Sequence, residues 1–218
     1  TSSPTRVDRT QAEQAVSTGP AFILRDIALT PESPLAVGDI ELPLGGLIVL
    51  AGDRGSAPDA LAEVMAGDRD PDSGCVLLDG CDVRYPTVRR RITMIADEPY
   101  LMDATVREHL NSSRQDLSDD DIAAVLERVG LGHLLMLEDG GVDAVLGTHA
   151  EVLSVHERHR LMIAMACLGT SDVVVIQDLA LFSDADAAEP LISALTHSRP
   201  RTIVLSTMNE EVAGMADH

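Results

Sequence analysis

Between the apolar run Leu47-Ile48-Val49-Leu50 and a helical stretch, the chain reads Gly52-Asp53-Arg54-Gly55-Ser56-Ala57-Pro58-Asp59-Ala60. A glycine-bearing turn that opens a helix can receive an anion, because backbone N–H groups converge there and glycine permits close approach. The complete form of such a loop is G-x-x-x-x-G-K-S/T. Here Gly52 holds the first glycine position, Ala57 the second, Pro58 the lysine and Asp59 the hydroxyl that would hold Mg²⁺. Pro58 supplies neither a cation nor an N–H, and Asp59 brings negative charge toward any phosphate. Without a ligand the same residues are well matched. Ser56-x-x-Asp59 has capping-box spacing and Pro58 suits a first helical turn. A carboxylate there gains roughly 0.3–1 kcal/mol from the helix dipole. Asp59 is therefore expected to take, electrostatically, the place of a phosphate. Arg54 is the one nearby cation that could serve a bound anion, and its position in such a loop points outward.

A second constellation is Ser154-Val155-His156-Glu157, again with S-x-x-E spacing at the head of a helical stretch. His149, His156 and His159 lie close by, and His156 and His159 share a helical face. No cysteine or second carboxylate completes a zinc set, so no metal is expected and these are read as exposed polar histidines. Met94, Met102, Met136, Met162 and Met165 read as gap-filling core.

The elements that must position these residues follow from periodicity. Thr1 to about Pro20 is polar and reads as an N-terminal arm or linker. Phe22–Leu24 with Ile27–Leu29 reads as an edge strand; Ile40–Leu42, Leu47–Leu50 and Cys75–Leu78 as further strands; and about Pro58 to Met65 as a helix. Ser118-Asp119-Asp120-Asp121 is a capping-box start, Ile122, Val125, Leu126 and Val129 form a buried stripe, and Gly130 supplies the stop. A second helix is expected over about Val155–Leu168, and buried strands over Val173–Ile176 and Thr202–Leu205. Continuous apolar strands alternating with helices imply an α/β fold with a mainly parallel sheet covered on both faces.

Composition narrows the function. The net charge is −20 and all 16 basic residues are arginine. Such a chain repels nucleic-acid backbones and anionic lipid, so no nucleic-acid partner is expected. Any motif that needs a phosphate-binding lysine is excluded. Cys75, Cys81 and Cys167 form no CxxC pair and read as reduced thiols of a cytosolic protein. No apolar run approaches the ~20 residues that span a bilayer, and the N-terminus lacks a signal-peptide pattern.

Ordered motifs over about Ala21–His218 resemble the ABC ATPase, the nucleotide-binding domain of ABC transporters. Pro71-Asp72-Ser73-Gly74-Cys75-Val76-Leu77-Leu78-Asp79-Gly80 resembles the family's P-x-S-G-x-I-x-x-D-G strand. Val88-Arg89-Arg90-Arg91-Ile92, Asp97-Glu98-Pro99-Tyr100-Leu101 and Ala104-Thr105-Val106-Arg107-Glu108-His109-Leu110 resemble segments of the exporter subgroup. Leu153-Ser154 with Arg158-His159-Arg160-Leu161 stands where the family writes its signature. The resemblance implies a P-loop NTPase-like fold with an antiparallel β edge and a helical subdomain. It divides the chain into a core part at 21–97, a helical part at 98–168 and a second core part at 169–218.

Residue by residue, the resemblance places substitutions at the chemistry. Gly52, Arg54, Gly55, Ser56, Pro58 and Asp59 form a vestigial phosphate loop. Gln177 replaces the aspartate that reaches Mg²⁺ through water, and a neutral amide is a weak ligand for a hard dication. Asp178 stands at the catalytic-base position, one methylene shorter than glutamate. Ser154, Val155, His156 and Glu157 replace the signature, with side chains where two glycines would let backbone approach a partner's γ-phosphate. Asp97 stands at the Q-loop glutamine and Thr207 at the switch histidine, within one residue of register. No aromatic near Thr30 can stack on adenine.

The reading that follows is a catalytically silent nucleotide-binding domain (a pseudo-ATPase) of an exporter-type ABC transporter. No cofactor is expected, with ATP and Mg²⁺ only if the site is rescued. The implied partners are an exporter's transmembrane domain, in cis or in trans, and a second nucleotide-binding domain in a homo- or heterodimer. The implied place is the cytoplasmic face of the cell membrane, as a portion of a longer membrane protein. Two alternatives stand beside it. One is a divergent ATPase in which Arg54 serves the phosphates and Asp178 the water; the other is a soluble regulatory module reusing the fold.

Overall fold

The computed structural model describes residues 21–29, 35–52, 57–98, 100–137, 140–177, 180–182 and 185–217. The expected arm at 1–20 lies outside them.

Among the described residues, nine strands fall into two sheets. β1 (Ala21–Leu29), β2 (Leu35–Val37), β3 (Ile40–Pro43), β5 (Ser73–Leu78) and β6 (Cys81–Asp82) form an antiparallel sheet. β4 (Gly46–Ala51), β7 (Ile92–Ile95), β8 (Val173–Ile176) and β9 (Thr202–Thr207) form a parallel sheet in the order β4-β9-β8-β7. The helices are α1 (Ala57–Ala66), α2 (Pro86–Arg89), α3 (Val106–Ser113), α4 (Asp119–Arg128), α5 (Val155–Leu168), α6 (Ala185–Ser198) and α7 (Glu210–Ala213). Among the described residues no helix is long and apolar enough to cross a membrane.

The parallel strands are mostly apolar because each contributes to two cores. Val174, Ile176, Ile203 and Leu205 point into a cluster with Leu110, Ile122, Leu126, Leu161, Ile163, Leu191 and Leu195 of the helices. Val173, Val175 and Val204 alternate to the opposite face, where α1 is packed between the two sheets with Phe22, Leu24, Val76 and Leu78. Burying a side chain of this size stabilises by roughly 1.5–3 kcal/mol. Losing alternate residues would therefore open one core and leave the other standing.

Local signals read from the sequence reappear as geometry. Ser118 caps α4, its hydroxyl accepting from the Asp121 N–H while Asp121 reaches back to the Ser118 N–H. Ile122, Val125, Leu126 and Val129 are buried. Gly130, at φ +75°, ends the helix, and the Leu131 N–H donates to the Leu126 carbonyl at 2.7 Å.

Two expectations need correction. β1 is not an edge strand; it pairs with β2 and β3 on one side and β5 on the other. Its residues are buried on both faces, the mark of an interior strand. Met102 and Met136 are not core: they are 51% and 83% exposed, whereas Met94, Met162 and Met165 pack against the cores as expected. The helix α6 is not legible in the sequence pattern. Pro190 interrupts its pattern, yet Ala188, Leu191, Ile192, Ala194 and Leu195 form a buried stripe around that proline.

Candidate functional site

In an open parallel sheet, ligands bind beyond the carboxyl ends of the strands. There the structure gathers Gly52, Asp59, Asp97, Gln177 and Thr207. Ala51 pairs with Thr207, and the Gly52 N–H donates to the Thr207 carbonyl at 3.1 Å, carrying the ladder one residue past β4. Thr207 is buried, and its hydroxyl accepts from the Asn209 N–H at 3.1 Å, turning the chain into α7. Arg54, Gly55, Ser56 and Asp178, as well as the Ser56 cap of α1, lie outside the described residues.

Asp59 sits in the first turn of α1. It accepts a 2.5 Å hydrogen bond from the Ser206 hydroxyl, which ties the helix head to the end of β9. Gln177 follows β8, and both ends of its amide are engaged. Its oxygen accepts from the Asp97 N–H at 3.1 Å, and its nitrogen donates to Glu63 Oε1 at 3.0 Å. The other Glu63 oxygen meets Arg69 at 3.5 Å. The amide thus spans α1, the end of β8 and the loop after β7. An aspartate could not do this, since it has no donor for Glu63.

The helix α5 begins as its spacing implied. Ser154 is the N-cap, its N–H donating to Glu157 at 2.8 Å and its hydroxyl accepting from the Glu157 N–H at 3.3 Å. His133 reaches the other Glu157 oxygen at 2.8 Å. The Ser154 hydroxyl and N–H, with His133, hold the Glu157 carboxyl below its ordinary range. Glu157 therefore supplies the anion that this helix N-terminus favours. Val155 and His156 are exposed on the first turn.

His159 corrects the reading of the histidines. His149 and His156 are exposed, but His159 is fully buried. Its Nε2–H donates to the Asp97 carbonyl at 2.7 Å, joining α5 to the loop that carries Gln177's partner. Burial pushes its pKa down. Nδ1 has no hydrogen-bond partner among the described residues, as befits a neutral ring. Among those residues no three His, Cys, Asp or Glu side chains converge on a metal position.

Glu63, Ser206, His133 and His159 are the partners that reading the chain did not assign. Glu63 had one visible sign, a lone acid among Ala, Leu, Val and Met one turn after Asp59. Ser206 likewise ends an otherwise apolar strand.

The ABC transporter family model matches residues 37–178, which include every candidate site residue assigned from the sequence except Thr207. The chain belongs to the ABC transporter family. It is 29% identical, over 92% of its length, to the mycobactin import ATP-binding/permease protein IrtB of Mycolicibacterium thermoresistibile, of which it covers 34%. It is 28% identical, over 94% of its length, to the glutathione/L-cysteine transport system ATP-binding/permease protein CydD of Escherichia coli K12, of which it covers 36%. The chain therefore spans about a third of these curated relatives. Its fold matches a bacterial Atm1-family ABC exporter solved with ATP bound, with a TM-score of 0.74, 16% identity and coverage of 97% of this chain and 38% of that one. This is the exporter-type nucleotide-binding fold.

Proposed function

We propose that this domain has exchanged nucleotide turnover for a structural or regulatory role within an ABC transporter. The observation that carries the reading is the Gln177 amide. It stands where the family places a metal-facing aspartate, and both its oxygen and its nitrogen are engaged by Asp97 and Glu63.

The group that the family implies is a nucleoside triphosphate with Mg²⁺, and the residues present do not fit it. Pro58 offers neither charge nor N–H. Asp59, already bonded to Ser206, sets a carboxylate at the position that would face the phosphates. Glu63 adds a second carboxylate beside Gln177. Two anions without a lysine repel a polyphosphate. On this reading the fold serves through protein contact: with a membrane-spanning part at the cytoplasmic face, fused or docked, and with a second nucleotide-binding domain. The relatives named above carry different cargoes, mycobactin in one case and glutathione or cysteine in the other. A domain shared across them does not select cargo.

Titrating the chain with fluorescent ATP and Mg²⁺ tests the reading. No saturable binding is expected below about 1 mM, where the binding free energy is only about −4 kcal/mol. Micromolar binding accompanied by phosphate release would overturn it.

A further inference from the structure

We propose that the cleft between one face of α4 and the C-terminal ends of α3, α5 and α6 binds a small organic oxyanion, a phosphoester or polycarboxylate, through the arginines that line it. The cleft encloses about 340 Å³ and is lined by Arg114, Asp121, Arg128, Thr170, Ser198 and Arg199, with the Cys167 thiol beside them. That volume lies at the small end of metabolite sites, about 300–1,000 Å³.

In a chain carrying −20 charges, guanidiniums are expected to be matched by carboxylates. Arg25, Arg69, Arg84, Arg89, Arg91 and Arg107 are so matched. The cleft is different. Arg128, exposed in the last turn of α4, makes no hydrogen bond or ion pair among the described residues. Arg114 has Asp121 at 3.9 Å, a loose contact, and Asp121 is engaged in capping α4 through Ser118. Arg199 is fixed by the Thr170 carbonyl at 2.6 Å and Asp172 at 3.2 Å.

Behind the wall lies a second, independent observation. Arg201 is 4% exposed and donates to the Ala166 carbonyl at 2.6 Å and to Ser198 Oγ, a lining atom, at 3.2 Å. Its Nε is buried without a partner, and it makes no ion pair among the described residues. Asp172 lies near enough to act on it, but is already shared by Arg91 and Arg199. A buried charge normally finds a counter-charge. The Cys167 thiol does not supply one, because burial raises its pKa and keeps it neutral. Helix C-termini attract arginines in their own right. Arg128, in the last turn of α4, nevertheless bonds none of that helix's carbonyls among the described residues, and the α5 end is served by Arg199 and Arg201, which leaves the Arg128 guanidinium for a ligand. Guanidinium forks match carboxylate and phosphate alike.

Thermal unfolding of the 218-residue chain, read with citrate and with glycerol 3-phosphate against chloride at equal ionic strength, tests the site. At ten times its Kd the bound anion raises Tm by roughly 3–6 °C, saturably, and the arm that responds identifies the head group. Arg128→Gln removes an exposed, unbonded side chain, so it should fold and lose the rise; Arg114→Gln should reduce it and serves if the first variant does not fold. An equal rise with chloride, no rise with either anion, or a rise that survives Arg128→Gln would each overturn the proposal.

Discussion

Gln177 and Glu63 stand one hydrogen bond apart, and what one requires the other supplies. Replacing Gln177 with Asp puts two carboxylates together and removes the donor. We expect a loss of about 1–3 kcal/mol in urea unfolding, largely recovered in the double variant with Glu63→Gln, whose amide can donate. A double-mutant cycle measures that coupling directly. Two ionisable groups shape successive stretches of the acid side of a pH profile. The Glu157 carboxyl is depressed from its ordinary 4.5, so its stabilisation is complete above that value and is lost as pH falls through the folded pKa. Glu157→Gln should flatten the acid limb of a Tm-against-pH curve below about pH 4.5. His159 is depressed from 6.5 by burial. The unfolded chain then binds a proton that the folded chain refuses, so stability declines as pH drops below 6.5. His159→Gln should remove that slope between pH 6.5 and the folded pKa, while the Glu157 limb persists.

At the scale of elements, one family motif glycine acquires a structural rather than catalytic reason. Gly74 lies at φ +84° opposite the bulge in β1, where Asp26 has φ +42°. A Cβ on Gly74 would sit 2.1 Å from the Arg25 carbonyl oxygen and 2.5 Å from that of Asp26. Both obstacles are backbone and cannot swing aside. Gly74→Ala should therefore cost more than the ~1 kcal/mol of an ordinary left-handed substitution. In calorimetry it should lower Tm by several degrees, and amide exchange should accelerate first in β1 and β5. Helix starts were readable from short patterns: Ser118 and Ser154 each cap as their spacing required. Capping is a contact within four residues and needs no partner from elsewhere. α6 was hidden because Pro190 breaks the local pattern, and only the core behind it shows which face is buried.

Across the whole molecule, charge is the dominant imbalance. With a net −20 the folded chain repels itself, and salt screens that repulsion over a Debye length of about 10 Å at 0.1 M. Its ion pairs are largely exposed and individually weak. Raising NaCl from roughly 10 to 300 mM should therefore increase Tm; a fall would show that the paired arginines outweigh the self-repulsion. The two cores predict separable failure, with amide exchange reporting which face of β8 and β9 opens first.

Taken alone, the sequence determined the α/β class, the apolar parallel strands, the capped helices and the family, because these rest on period, capping spacing and motif order, all of which are local or ordered along the chain. Its resemblance to the family aligns Pro58, Asp59 and Gln177 with a lysine, a hydroxyl and an aspartate. Only the tertiary structure decided what Asp59 and Gln177 bond to. Ser206 reaches Asp59 across 147 positions and Glu63 reaches Gln177 across 114, while a histidine read as exposed is buried beneath Asp97. Partners so far apart are brought together by packing α1 and α5 against the sheet, and no periodicity encodes which polar atoms meet when that packing closes.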